Sequence, residues 1–426
     1  MLTIYIVSTG HHTFLKKAIE SVLNHKLDLC IYVVETSSNP IDQKKSDQLV
    51  QSFGLDLFKL QNYKLPQVAN YILNHVTSPF VMRLDADDWV SEDFVSIMLK
   101  KIKEKAFDAY IPSYIETDSD GAYLREVSRD QLSVSKIKDN PPHGACTIFS
   151  TNFLKKVGGY SSLYDRQDGY YMWLKILRYG TFTCVPSAKF YYRQHSFNLT
   201  GNQRELWNVR ASMLIDECFN DIKNYSYCVI PILDLDTSFG KLTMEPFLGH
   251  STLLEYELKN LQIACDVFVY APKSVISSLP SNVSHIERSK FSTDQWQDIQ
   301  EEVIDQVGIK NGYLCVKNIE YPFVNPKYVE AAISALHLFD SSSCITVEEL
   351  KKDIYQSSEN GLKRVEGGAI QDNDRIYKRS GGIIARRLRN GKLSFDNLIT
   401  SLPADNISAI RISEIKDFMN LQGILN

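Results

Sequence analysis

Apolar positions along this chain fall into two alternating rhythms. Leu2–Ser8 is almost continuously apolar, the pattern of a strand buried on both faces. Thr13–His25 then sets Phe14, Leu15, Ala18, Ile19, Val22 and Leu23 at helical spacing. Cys30–Glu35 is the next apolar run, and strand, helix, strand at this spacing predicts a βαβ unit on a parallel sheet. Residues 57–61 read as a third strand, 66–76 as a helix, 79–84 as a strand and 108–112 as another. The polar segment 116–142 ends in Asn-Pro-Pro and predicts a loop-rich insertion. Phe153–Gly159 and Tyr170–Gly180 read as helices stopping at glycine.

The same alternation restarts after a helical, rather polar connector at 204–223. Strands are expected at 228–233, 266–270 and 313–316, with helices at 251–261, 294–307 and 326–338. A late strand is expected at 382–388 and a terminal helix at 412–425. The chain has 426 residues, too many for one ordinary domain. We therefore expect a domain over 1–205, a connector over 206–226 and a second domain over 227–426.

Composition narrows the class. Hydrophobic content of 44% with 23% charged residues is that of a soluble globular protein. A net charge of −4 and the lack of a nucleic-acid motif argue against nucleic acid as a partner. The eight cysteines form no C-x-x-C, so neither a zinc site nor a disulfide framework is indicated. With no basic, apolar leader and no apolar run near ~20 residues, a cytoplasmic location is expected.

Candidate chemistry sits at Arg83-Leu-Asp-Ala-Asp-Asp-Trp89. Four Asp-x-Asp pairs occur, at 85/87, 118/120, 234/236 and 372/374. The pair at 118/120 lies in Thr-Asp-Ser-Asp-Gly, a turn by composition. Only Asp85 and Asp87 follow an apolar strand and precede an aromatic residue and a helix start expected at Ser91. Alternate strand residues share a side, so both carboxylates point to the carboxyl edge of a sheet, where α/β proteins bind ligands. Such hard oxygen ligands hold Mg²⁺ or Mn²⁺, which can grip a diphosphate.

Seven ordered segments of the first ~200 residues resemble family 2 glycosyltransferases of the GT-A fold. They are Leu2–Leu23, Ile31–Ser37, Ala69-Asn70, Leu84–Asp88, Val157–Tyr160, Gln167–Lys175 and Tyr192–His195. The resemblance implies donor contacts from Thr9, Glu35, Asn70 and Asp85, and a metal held by Asp85, Asp87 and His195. It implies Asp168 as the general base of an inverting displacement. From the residues alone, Asp168 is either a base or a helix-start acid, and His195 either a ligand or a structural histidine. Glu35-Thr36 stands where the family has Asp-Asp, which bears on donor identity.

Residues 227–426 resemble CMP-sugar synthetases, in eroded form. Val229-Ile230-Pro231, Pro246–Gly249, Glu320–Phe323, Ser341–Glu348 and Ile410–Phe418 carry the likeness. The family's triphosphate-binding Arg and Lys align with Leu233 and Thr237, and its late metal-binding pair with Arg411 and Ser413. The expectation is an inactive relative, with a homodimer through this half by analogy.

The fold class expected is α/β, two Rossmann-like nucleotide-binding domains in series. The function expected is metal-dependent, inverting transfer from a nucleoside-diphosphate sugar, UDP-linked in most such enzymes. The acceptor would be a glycan or lipid-linked molecule in surface polysaccharide or glycoconjugate synthesis, with peripheral membrane contact if lipid-linked. Two alternatives stand beside it: a bifunctional protein whose carboxyl half still makes a CMP-sugar, and a non-catalytic nucleotide-binding scaffold.

Overall fold

The structure is a computed structural model. It describes all residues except 11, 26–28, 131–140, 166, 196–202, 233–234, 289–295, 350–354, 359–360, 365–376, 395–398, 406 and 413–426. The chain divides into two compact units, Met1–Arg210 and Ala211–Asn426.

In the first unit the strands are β1 (Leu2–Ser8), β2 (Leu29–Glu35), β3 (Asp56–Lys59), β4 (Phe80–Asp85), β5 (Trp89–Val90), β6 (Ala109–Thr117), β7 (Tyr123–Val127), β8 (Ile148–Ser150) and β9 (Phe182–Arg193). Among the described residues they form one sheet in the order β3-β2-β1-β4-β8-β6-β9-β5, with β7 on β6. The first four are parallel; β8 runs antiparallel to both β4 and β6, and β9 is parallel to β6. Every residue of β1 is buried, as its continuous apolar run requires. Leu2, Ile4 and Ile6 face a core with the helices His12–Leu23 and Phe94–Glu104. Tyr5 and Val7 face a second core with Leu65–His75 and Trp173. The order 3-2-1-4 puts a switch point between β1 and β4, and ligands of open α/β sheets bind outside the strand ends there.

The second unit holds β10 (Ser226–Pro231), β11 (Asp266–Ala271), β12 (His285–Glu287), β13 (Gly312–Lys317), β14 (Ser343–Glu349), a separate pair β15 (Tyr355–Ser358) and β16 (Gly361–Arg364), then β17 (Tyr377–Arg389), β18 (Lys392–Leu393) and β19 (Ile399–Pro403). Its main sheet runs β12-β11-β10-β13-β17-β14-β19. Along this seven-strand path the directions repeat those of β3-β2-β1-β4-β8-β6-β9, with no counterpart to β5 or β7: β10 to β13 are parallel, β17 is antiparallel to β13 and β14, and β19 is parallel to β14. Two units of one sequence thus share a topology.

Two expectations need adjusting. The insertion at 116–142 carries a strand, β7, because Tyr123–Val127 completes a hairpin on an extended β6. The connector is not a simple polar helix. Gln203–Leu214 passes into a π-helix, Ile215–Phe219, whose Cys218 and Phe219 are buried and which packs on the helix Lys327–Leu338. Burial of one face outweighs the polar composition of the other. The terminal helix at 412–425 and Asp372/Asp374 lie outside the described residues.

Candidate active site

The strand ends of the first unit assemble the site. β1 and β4 pair so that Val7 lies beside Asp85, and the Ala86 N–H donates to the Val7 carbonyl at 3.0 Å. This hydrogen bond carries the chain past the sheet edge and leaves Asp85 and Asp87 at the switch point. Across the sheet, β9 returns to the same place. The Arg193 N–H donates to Asp88 Oδ1 at 3.0 Å, and Arg193 Nε to the Asp87 carbonyl at 3.0 Å. The Arg193 guanidinium is sandwiched between Phe14 and Trp89, 4.4 and 4.8 Å from their ring centres. Trp89 also stacks on Tyr191. The segment 85–89 is therefore pinned by charge, backbone hydrogen bonds and ring contacts at once.

His195 Nε2 lies 2.8 Å from Asp87 Oδ2, its ring over Phe14. Asp168 opens the helix Asp168–Tyr179 directly after Gln167, whose φ of 62° turns the chain through the left-handed region. Arg83, two residues before Asp85, spans the gap between acids. Its Nε is 2.9 Å from Asp85 Oδ1 and its Nη1 is 2.5 Å from Asp168 Oδ2.

Negative charge is in surplus here. Burial pushes the Asp85 carboxyl up to about 6; Arg83 pulls it back, and Asp87 and Asp168 add to the rise. Burial, then Asp87 and Asp85, push Asp88 well above the ordinary range. Among the described residues, Asp88 Oδ2 is buried with no hydrogen-bond donor. A divalent cation fits such a donor set: hard carboxylate oxygens in excess of local positive charge. No group of three or more His, Cys, Asp or Glu side chains among the described residues is gathered tightly enough to hold a metal unaided. Mg²⁺-type sites commonly complete their shell with water and substrate phosphate.

The other expected donor residues are placed differently. Glu35 is fully buried. Its Oε2 accepts from Ser8 and Ser46 at 2.8 and 2.6 Å, and its Oε1 from the Gly10 and Ser37 N–H groups at 3.0 and 2.8 Å. A carboxylate offers about four acceptor sites, so Glu35 is saturated by protein donors and organises the β1 and β2 ends. This corrects the reading of Glu35 as a donor contact, because no acceptor is left over. Asn70 clamps Tyr160, donating to its carbonyl at 2.7 Å and accepting its N–H at 2.8 Å. Thr9 is exposed at the mouth, its hydroxyl 2.8 Å from that of Thr36. Arg83 and Arg193 lie inside the motifs, which assign neither of them a role. The signal for Arg83 was a cation inside an otherwise apolar strand. Asp118 accepts the Asp120 and Ala122 N–H groups, the turn its composition predicts.

In the second unit the last residue of β13 is Lys317, which is buried and ion-paired with Glu257. Arg411 Nε donates to Glu320 Oε2 at 2.7 Å. Internal cations thus neutralise both acids near this strand end.

No helix among the described residues is long and apolar enough to cross a membrane. Residues 3–159 match the profile of glycosyl transferase family 2. Glycosyltransferase GlyA of Streptococcus pneumoniae is 23% identical over 142 residues, 33% of this chain and 20% of that protein. The chain thus spans a fifth of the length of that relative. Among solved structures, a fragment of S. aureus TarS with UDP-GlcNAc aligns with a TM-score of 0.43 at 11% identity, covering 87% of this chain and 98% of that one. Mannosyltransferase PcManGT of Pyrobaculum calidifontis, with GDP-Man and Mn²⁺, gives 0.38 at 15% identity over 52% and 63%. The amino-terminal region of this chain, which carries Asp85 and Asp87, is a glycosyl transferase family 2 domain.

Proposed function

We propose that the chain is a metal-dependent, inverting glycosyltransferase that moves a sugar from a nucleoside-diphosphate donor to a glycan or lipid-linked acceptor, in surface polysaccharide or glycoconjugate assembly. The observation that carries this is the meeting of Asp85, Asp87, His195 and Asp168 around one switch point, in a region matching the family. Asp87 with His195 would hold Mg²⁺ or Mn²⁺, with Asp85 beside them and towards the ribose. The cation, once bound, would act as a Lewis acid on the departing diphosphate. Asp168 accepts the proton of the acceptor hydroxyl as its oxygen bonds to the anomeric carbon. The bond from that carbon to the phosphate oxygen breaks, and the electron pair leaves with the nucleoside diphosphate. One displacement inverts the centre. Thr9 remains a candidate donor contact at the open rim.

For the second unit we propose a nucleotide-binding fold related to CMP-sugar synthetases that has lost its chemistry. Its support is the pairing of Glu320 with Arg411, a cation where the resemblance expects a metal-binding acid.

The experiment is calorimetry of the full chain with UDP-, dTDP-, GDP- and CMP-sugars and CTP, with and without Mn²⁺, beside Asp85→Ala/Asp87→Ala. Mn²⁺-dependent binding of one diphosphate sugar, lost in the double variant, is expected. Binding of CTP or a CMP-sugar alone, indifferent to that variant, would move the activity to the second unit.

A further inference from the structure

Among the described residues, Arg83 is the guanidinium that faces both Asp85 and Asp168. It stands on β4 two residues before Asp85, so the two side chains share a face. Neighbouring strand residues are apolar and buried, and an apolar residue would have satisfied that face. A buried ion pair is a poor way to gain stability over well-packed hydrophobic residues. The arginine therefore calls for a reason other than stability.

We infer that Arg83 is a positioning residue: its guanidinium holds the proposed base, Asp168, in fixed register with the proposed metal ligand, Asp85. This rests on the reading of the site as a centre of glycosyl transfer. Two different nitrogens of one planar fork face the two acids: Nη1 donates a hydrogen bond to Asp168 Oδ2, and Nε lies 2.9 Å from Asp85 Oδ1 as an ion pair outside hydrogen-bond geometry. The relative placement of the two carboxylates is thus set by a rigid group. Lysine, a single ammonium on a flexible stem, cannot impose that geometry.

The surroundings fit such a clamp. The guanidinium is closed in by the loop 142–146 and by the start of the helix 168–179. The Cys146 N–H donates to the Arg83 carbonyl at 2.7 Å, and Trp173 Nε1 donates to the Pro142 carbonyl at 3.0 Å. Two glycines allow the approach. A Cβ on Gly169 would lie 3.1 Å from the Gly144 nitrogen, and one on Gly144 would lie 3.5 Å from Arg83 Nη2. A cavity of about 10 Å³, bordered by Tyr5, Arg83 and Tyr160, has room for one water at most. Among the described residues, only Oδ2 of Asp168 is bonded, to Arg83. The other oxygen remains to receive a proton.

The test uses the full chain with Mn²⁺, a panel of UDP- and GDP-sugars, and sugar-terminated acceptors, reading nucleoside diphosphate release. Arg83→Lys keeps the buried charge and the fold. We expect kcat to fall by about 10²-fold or more, the scale of a displaced general base, with a much smaller rise in donor KM. Methylguanidinium should restore part of kcat to Arg83→Ala and none to Asp168→Ala, without raising the melting temperature of either. An Arg83→Lys kcat within about threefold of wild type overturns the inference alone; methylguanidinium that raises melting temperature without kcat does the same. A wild type with no transfer to any acceptor overturns the underlying reading and this inference with it.

Discussion

His195 Nε2 and Asp87 Oδ2 meet at 2.8 Å although 108 residues separate them in the chain. The pair joins the end of β9 to the loop after β4, the two ends of the first unit's sheet chemistry. Replacing His195 with Ala should weaken Mn²⁺ affinity by about 10- to 100-fold, the scale seen when a metal ligand or its supporting partner is lost. Calorimetric titration of Mn²⁺ in the presence of UDP reads this directly. Unchanged affinity would make His195 a structural histidine.

Asp168→Asn should lower turnover by about 10²- to 10⁴-fold while donor binding persists. The variant also leaves Arg83 with one acid instead of two, so a modest fall in melting temperature is expected beside the kinetic loss. Steady-state kinetics together with donor titration separate the two effects. Loss of donor binding equal to the loss of turnover would argue against a proton-transfer role.

Gly159 takes φ 70°, and a Cβ there would stand 2.4 Å from Asn70 Oδ1. Gly159→Ala should therefore break the clamp between Asn70 and the Tyr160 backbone. We expect a loss of about 1–3 kcal/mol, from left-handed strain and unsatisfied polar groups. Urea unfolding of the variant beside Asn70→Ala measures it, and a non-additive double variant shows that both act on the same contact.

His143 packs among Tyr114, Phe190 and Tyr192, with ring centres 4.7, 5.8 and 4.5 Å away. Burial, with Arg129 and Arg83 adding, lowers its pKa to about 3. The unfolded histidine titrates near the ordinary 6.5, so between those values the unfolded state binds the extra proton. Stability should then rise with pH across about 3 to 6.5, by up to about 1.4 kcal/mol per pH unit from this group, and show no further dependence on it above. Unfolding free energies at several pH values, for wild type and His143→Gln, read the difference. Identical slopes would exclude His143 as their source.

Lys317 and Glu257 are both buried and paired in the second unit. Lys317→Met removes one partner and leaves a buried acid, which should cost about 3–5 kcal/mol. Lys317→Met with Glu257→Leu should recover most of that loss. Thermal melts of the single and double variants decide it. A single variant as stable as wild type would mean that the pair is not buried in solution.

Several of these features were legible in the primary structure. The apolar run of β1 and the spaced face after it gave the first βαβ unit, because burial on two sides leaves no polar position to place. Asp85 and Asp87 stood out because two carboxylates ended an apolar strand. Other features were hidden. The resemblance implied Glu35, the last residue of β2, as a donor contact, yet four donors from three segments converge on it, and no local pattern records such convergence. The strand Tyr123–Val127 lay in a polar stretch that only its pairing with β6 makes extended.

What the sequence determined by itself was periodic and local: which segments are strands and helices, that two α/β patterns follow one another, and where a carboxylate pair leaves a sheet. Hydrophobic spacing encodes these because each element must bury one stripe or face on its own account. What only the tertiary structure decided was which distant side chains meet. His195 reaches Asp87, Arg83 reaches Asp168, and Arg411 rather than a second acid reaches Glu320. The repeat of the first sheet's seven-strand path in the second also appeared only there. Such contacts depend on strand order and on the return of β9, β17 and β19 across each sheet, and strand order leaves no mark on the spacing of residues within a strand.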